Sequence, residues 1–345
     1  MNYNLTYKSM YEKIKTNWDN LAKPIDGLGE FEDVLSKIGA IQQDEKISLS
    51  PATLLIFIAD NGVIEEGVTQ SGNEVTYEVA KALGKGISTV SHMASTSGMS
   101  VLPVNIGIKI DGDIEGVENR AIANGTKNFV KEPSMTEEDM HKAIETGKEY
   151  VRRLSEDGCK IIALGEMGIG NTTTSAAVLA GLKKLSGKEV CSMGAGLSSE
   201  GLQKKIQVVD LAVKKYDLHN QTPYEILRTV GGFDIAALTG VILEAYKHNI
   251  PVISDGFITG VAALLAYRID ENVKESIVFS HSGRENGMKY IFEEFLVKPV
   301  ISANMALGEG TGTCIFLSAA KCALSVYEGN TQFSDINTEK YTRFK

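Results

Sequence analysis

Residues 4–20 and 28–42 repeat their apolar side chains at three- and four-residue intervals, the spacing of a helix with one buried face. Between them LAKPIDGLG is punctuated by Pro24, Gly27 and Gly29, so the two are expected to form a helical hairpin. From about residue 53 the texture changes. Short continuous apolar runs, TLLIFIAD, VLPVNIGI, KIIALGE, IPVISDG and SIVFSHSG, alternate with turn residues and helical patterns. Strands that are apolar on both sides belong to sheets covered on both faces, so the runs predict a mostly parallel, doubly wound α/β sheet. After Gly287, MKYIFEEFL and GTCIFLSAAKCALSVYEG are helix-like and the chain becomes polar from Asn330, which reads as a loose tail. The helices at the two chain ends are expected to pack together. This divides the chain into a large domain over 49–285 and a small helical domain from 1–48 and 286–345.

In an open α/β sheet, ligands sit beyond the carboxyl ends of the strands, and here those ends are polar. The runs finish in Asp60-Asn61-Gly62, Gly165-Glu166, Asp255-Gly256 and Ser280-His281-Ser282-Gly283. Such residues also end strands and cap helices for purely structural reasons, but their recurrence at four ends marks one crevice. GEMGIGNT over 165–172 fits the glycine frame of a P-loop yet places Asn171 where that loop has its lysine, which disfavours a nucleoside triphosphatase. Gly168 and Gly170 lack the third glycine of a dinucleotide fingerprint. What remains is a turn whose backbone N–H groups can approach an anion, with Thr172 or Thr173 capping a helix. Glu309, between two glycines in LGEGTG, is either an exposed turn residue or a carboxylate held in a partly apolar crevice, where desolvation suits it to proton removal. Lys205 is the cation to pair with an anion, or else a solvated helix lysine. His281 reads as structural.

Composition narrows the partners. The 345 residues carry a formal charge of -9, which argues against nucleic acid and favours small molecules. Cys159, Cys191, Cys314 and Cys322 show neither disulfide nor zinc spacing, and a reducing cytoplasm fits them. No signal sequence or membrane span is evident.

Seven ordered blocks then carry a resemblance: LAKPIDGLGEFE, FIADNGVIEEGVTQSGNEVT, GEMGIGNTTTSAA, GAGLSSEGLQKK, GGFDIAALTGVILEA, PVISDGFITGVAALLA and LGEGTGT. Over about residues 20–325 the chain resembles the nicotinate-nucleotide:dimethylbenzimidazole phosphoribosyltransferases, which activate the lower-ligand base of cobalamin. The resemblance implies a Rossmann-like large domain and a homodimer. It implies transfer of the phosphoribosyl group of nicotinate mononucleotide to a benzimidazole-type base, with inversion from β to α and no metal or other cofactor. By motif, Glu309 takes the ring proton. Glu166, Met167, Gly168, Ile169 and Gly170, leading into Asn171, surround the ribose and phosphate, with Lys205 as cation. Gly231, Gly232, Asp255 and Gly256 line the crevice, and Thr69 and Tyr77 meet the base. The chain departs from the family pattern at Asn61, Tyr77, Gly283 and Ala306. At Ala306 an arginine is lost, and Arg284 is a candidate to replace its charge. These departures leave phenolic or purine acceptors open, as well as a non-catalytic nucleotide-binding homologue, although retention of Glu309 favours an enzyme.

Overall fold

The computed structural model describes residues 3–343 except 111 and 195. Ala195, inside the GAGLSSEGLQKK block, and the last two residues of the polar tail lie outside the described residues. The chain opens with α1 (Tyr3–Asn20) and α2 (Glu30–Gln42), then β1 (Ala52–Ala59), α3 (Asn73–Gly84), α4 (Thr89–Ser97), β2 (Ser100–Gly107), β3 (Glu118–Asn119) and α5 (Glu137–Glu156). It continues through β4 (Ile161–Met167), α6 (Asn171–Lys183), α7 (Gly187–Val190), α8 (Ser199–Lys215), α9 (Pro223–Val230), α10 (Phe233–Ala245), β5 (Val252–Ser254) and α11 (Phe257–Ile269). Last come β6 (Ile277–Phe279), β7 (His281–Gly283), α12 (Met288–Phe295), β8 (Ile301–Met305) and α13 (Thr311–Gly329).

Six strands form one sheet in the order β3-β2-β1-β4-β5-β6, every pair parallel. The order reverses between β1 and β4, which are neighbours in space and far apart in sequence. That is the doubly wound architecture expected from the apolar runs. Alternation along the strands explains why the runs are continuous. Leu55 and Phe57 of β1 join Ile162 and Leu164 of β4 in one core, while Leu54, Ile56 and Ile58 join Ile161 and Ala163 in a second core on the opposite face. The second core also holds Ile14, Trp18, Leu35, Ile38, Phe316 and Leu317, so α1, α2 and α13 cover that face.

Two details differ from the sequence expectation. The run SIVFSHSG breaks at Ser280, whose N–H still donates to Ser254 of β5 at 3.0 Å while its hydroxyl donates to Asp255 O. Beyond it the chain leaves the sheet, and β7 pairs in parallel with β8. The tail is not loose over its described length: Gln332 bridges Leu21, and Arg343 pairs with Asp19 and Asp26 at 2.9 and 2.8 Å. No helix among the described residues is long and apolar enough to cross a membrane.

α5 and α10 pack with backbone almost touching. A Cβ at Gly147 would stand 1.9 Å from Ala237 O, and one at Gly240 would stand 1.9 Å from Ile144 O. Gly147→Ala has no flexible neighbour to push aside, so it is expected to cost about 3 kcal/mol or more, visible as a lowered thermal midpoint. An unchanged midpoint would mean that the helices separate freely.

Candidate functional site

The reversal between β1 and β4 opens a crevice at their carboxyl ends, and the turn after β4 forms its floor. Gly168 passes so close to β1 that a Cβ would lie 2.3 Å from Ala59 O, and Gly170, at φ 96°, turns the chain into α6. Ile169 N donates to the Thr76 hydroxyl at 3.1 Å. Asn61 sits behind this turn rather than in the crevice. It is 1% exposed, and its amide oxygen accepts from Thr174 at 3.2 Å.

Three buried polar side chains follow from this geometry. Asn171 opens α6, and its single amide nitrogen donates to both Glu166 and Asp234, the latter at 3.1 Å. Among the described residues no lysine or arginine pairs with either carboxylate. Burial therefore raises Glu166 well above the usual carboxylate range, with the Asp234 charge adding to it. Burial also lifts Asp234 to about 6 despite the Asn171 hydrogen bond. Gly232 makes room for Asp234, because a Cβ there would fall 2.3 Å from its Oδ1.

The opposite wall comes from the far end of the chain. Asp255, beyond β5, accepts from Gly310 N at 3.1 Å and Gly312 N at 2.7 Å, so it caps the start of α13 across the sheet. Glu309 precedes that cap at φ 60°, a left-handed conformation unusual for a non-glycine residue. The turn lies directly on β4, where a Cβ at Gly165 would meet Glu309 O at 2.7 Å. Glu309 Oε2 is fully buried with no hydrogen-bond partner among the described residues. Burial, assisted by the Asp255 charge, raises its pKa. The Asp255 pKa is raised by burial too, against the opposing pull of His281 and the backbone N–H groups.

Two cavities meet at the turn after β4. The smaller, about 120 Å³, has Glu166, Gly168, Ile169, Asn171, Asp255, Gly256 and Glu309 in its wall, together with His281 and Glu285. The larger, about 290 Å³, shares Gly168, Ile169, Asn171 and Thr172 and adds Gly170, Val68, Thr69, Gln70, Met193 and Leu197. The crevice thus gathers most of the residues expected from the sequence. Lys205 is 1% exposed and lines neither cavity. Its ammonium stands behind their shared wall, donating to the Thr172 hydroxyl at 2.9 Å, and burial lowers its pKa to about 8. Gly231 and Gly232 line neither cavity: Gly231 packs against Leu227, and Gly232 stands beside Asp234 and Asn61. Tyr77 lies outside both walls, with Lys81 4.6 Å over its ring. Arg284 is exposed and donates to Asn304 O at 2.9 Å, while Ala306 lines the smaller cavity.

Sequence reasoning missed Asp234 and Glu285. The signal for Asp234 was present: it is one of two acids in α10, a helix whose every residue is buried, and it stands in the first turn, ahead of an apolar run. Glu285 follows the strand-end run SHSGR with no periodicity to mark it.

A family model described as "Phosphoribosyltransferase" matches residues 5–337. The chain belongs to that family. A Clostridium perfringens nicotinate-nucleotide--dimethylbenzimidazole phosphoribosyltransferase is 40% identical over 330 residues, 96% of this chain and 91% of the relative. Its namesake from Acetivibrio thermocellus is 37% identical over 335 residues, 97% and 95% of the two chains. The crystal structure of CobT from Thermus thermophilus superposes with a TM-score of 0.91 at 30% identity, covering 96% of this chain and 100% of that one. As a member of this phosphoribosyltransferase family, the protein is an enzyme of group transfer.

The buried Asp234 sets a pH test. Its folded-state pKa lies above the ordinary 3.8, so the stability it contributes is present in acid and is lost as pH rises through about 6. Asp234→Asn keeps the shape and lacks the proton equilibrium. Between about pH 4 and pH 7 the variant is expected to gain on the parent by up to about 3 kcal/mol in denaturant unfolding. A difference independent of pH would show that Asp234 titrates normally.

Proposed function

We propose that the enzyme transfers the phosphoribosyl group of nicotinate mononucleotide to a benzimidazole-type base, giving an α-ribazole 5′-phosphate and nicotinate for the nucleotide loop of cobalamin. The observation that carries this reading is Glu309, a carboxylate with a buried, partnerless oxygen and a raised pKa on the wall of the crevice.

The chemistry suits the walls. A lone pair on one azole nitrogen attacks C1′ of the ribose, and the bond from C1′ to the pyridinium nitrogen breaks. The bonding pair returns to that nitrogen, so nicotinate leaves with a neutral ring nitrogen. In-line attack turns the β-nucleotide into an α-nucleotide. The azole, now positive, gives the proton on its other nitrogen to Glu309. Carboxylates with no paired cation favour the positive charge that the sugar and the azole carry during transfer. The arriving cationic donor also favours the ionised form of Glu309, which readies it as a base. The 290 Å³ cavity beside Thr69 and Met193 has the apolar lining an aromatic acceptor needs. Thr172, the α6 N-terminus and Lys205 behind them are the anion end for the 5′-phosphate.

In this reading residues 1–48 and 286–345 act as one unit that presents the 308–310 turn to the crevice of residues 49–285. The enzyme works as a cytoplasmic homodimer without metal or other cofactor.

Incubation with nicotinate mononucleotide and a panel of benzimidazoles, phenols and adenine is expected to yield an α-ribotide of a benzimidazole, identified by mass spectrometry. Glu309→Gln should lower kcat about 10²–10⁴-fold, because the amide accepts no proton, with donor affinity within a few fold of the parent. A variant as fast as the parent would remove Glu309 as the base.

A further inference from the structure

His281 is placed by a set of bonds that decides which of its nitrogens carries hydrogen. The Ser280 hydroxyl lies 3.0 Å from Asp255 O and 3.0 Å from His281 Nδ1. A carbonyl only accepts, so the hydroxyl hydrogen goes to Asp255 and Ser280 offers the ring a lone pair. Nδ1 therefore bears hydrogen in either charge state, and the Asp255 carboxylate, 3.9 Å from Nδ1, favours that arrangement. The neutral ring is left with an unprotonated Nε2. This atom has no hydrogen-bond partner among the described residues, although the side chain is 5% exposed and borders the smaller cavity. A Cβ on Gly312 would stand 2.0 Å from Nδ1, so the ring packs tightly against the start of α13.

The surroundings specify what such an acceptor faces. Glu166, Glu285 and Glu309 share the wall, and each keeps at least one acceptor oxygen whether or not it is protonated. The space, about 120 Å³, is on the scale of one sugar ring rather than a whole nucleotide. A wall rich in acceptors calls for a ligand rich in donors. Of the parts of nicotinate mononucleotide, the sugar, with its two ring hydroxyls, is the one that offers them at that size.

We propose that His281 Nε2 accepts a hydrogen bond from a ribose hydroxyl of the donor nucleotide, making it a residue that selects ribose over deoxyribose. This rests on the transferase reading above. The Ser280–His281–Asp255 contacts fix the ring so that the acceptor is in place before the ligand arrives.

The test separates the two nitrogens. In His281→Asn the amide nitrogen takes the position of Nδ1 and keeps the Ser280 contact, but nothing reaches the cavity. In His281→Gln the amide reaches the position of Nε2 and the Ser280 contact is lost. Steady-state constants are measured with nicotinate mononucleotide and its 2′-deoxy and 3′-deoxy analogues, alongside thermal midpoints. The parent is expected to disfavour one deoxy analogue about tenfold in kcat/KM. His281→Asn should keep the parent's midpoint, raise KM for the ribonucleotide about tenfold and treat that analogue and the ribonucleotide alike. His281→Gln should lose thermal stability and retain part of the discrimination. If His281→Asn discriminates as the parent does, the ring is structural and the proposal fails. If the parent forms no ribotide from any acceptor, the transferase reading fails and this assignment falls with it.

Discussion

The contact on which the site depends is Asp255 at the start of α13. Its two oxygens take the N–H groups of Gly310 and Gly312, joining the end of β5 to a turn 55 residues later in the chain. Hydrogen bonds to an ionised group contribute about 1.5–3 kcal/mol each, enough to offset much of the cost of burying the charge. Without that cap the 308–310 turn would lose the two hydrogen bonds that tie it to the end of β5. Glu309 would then extend from a loop instead of facing Glu166. Asp255 also stands beside His281, so one carboxylate orders two walls of the crevice.

A second constraint is electrostatic. Glu166, Asp234, Asp255 and Glu309 are gathered with little compensating positive charge, and burial raises the pKa of each. Asn171 holds two of them apart with one amide group. A lysine there, as in a P-loop, would neutralise the pair and draw the crevice toward triphosphates. The amide adds no charge to the pair, and Lys205 of α8 stands behind Thr172.

How much of this was legible follows from how local each signal is. The sheet was readable because continuous apolar strands require cover on both faces, and β1 shows that pattern over its full length. Glu166, Asp255 and Glu309 were readable because each stands at a strand end or between glycines, and such ends recur along one edge of the sheet. Seating Lys205 behind Thr172, Arg284 on the surface and Tyr77 outside the walls required tertiary contacts that no spacing encodes. The break at Ser280 was likewise hidden, since SIVF and HSG read as one run until β8 supplies a partner. Arg343 fastens the polar tail through ion pairs with residues more than 300 positions away, beyond the reach of any window.

The close seating of the 308–310 turn on Gly165 separates two kinds of position. Main chain pressed against main chain tolerates no added atom, so the turn that carries Glu309 has almost no latitude to shift. The rim differs in kind. Met193 and Leu307 are about half exposed, and no hydrogen bond of the acid cluster passes through them. A side chain at the rim can therefore be exchanged without disturbing the buried turn beneath it.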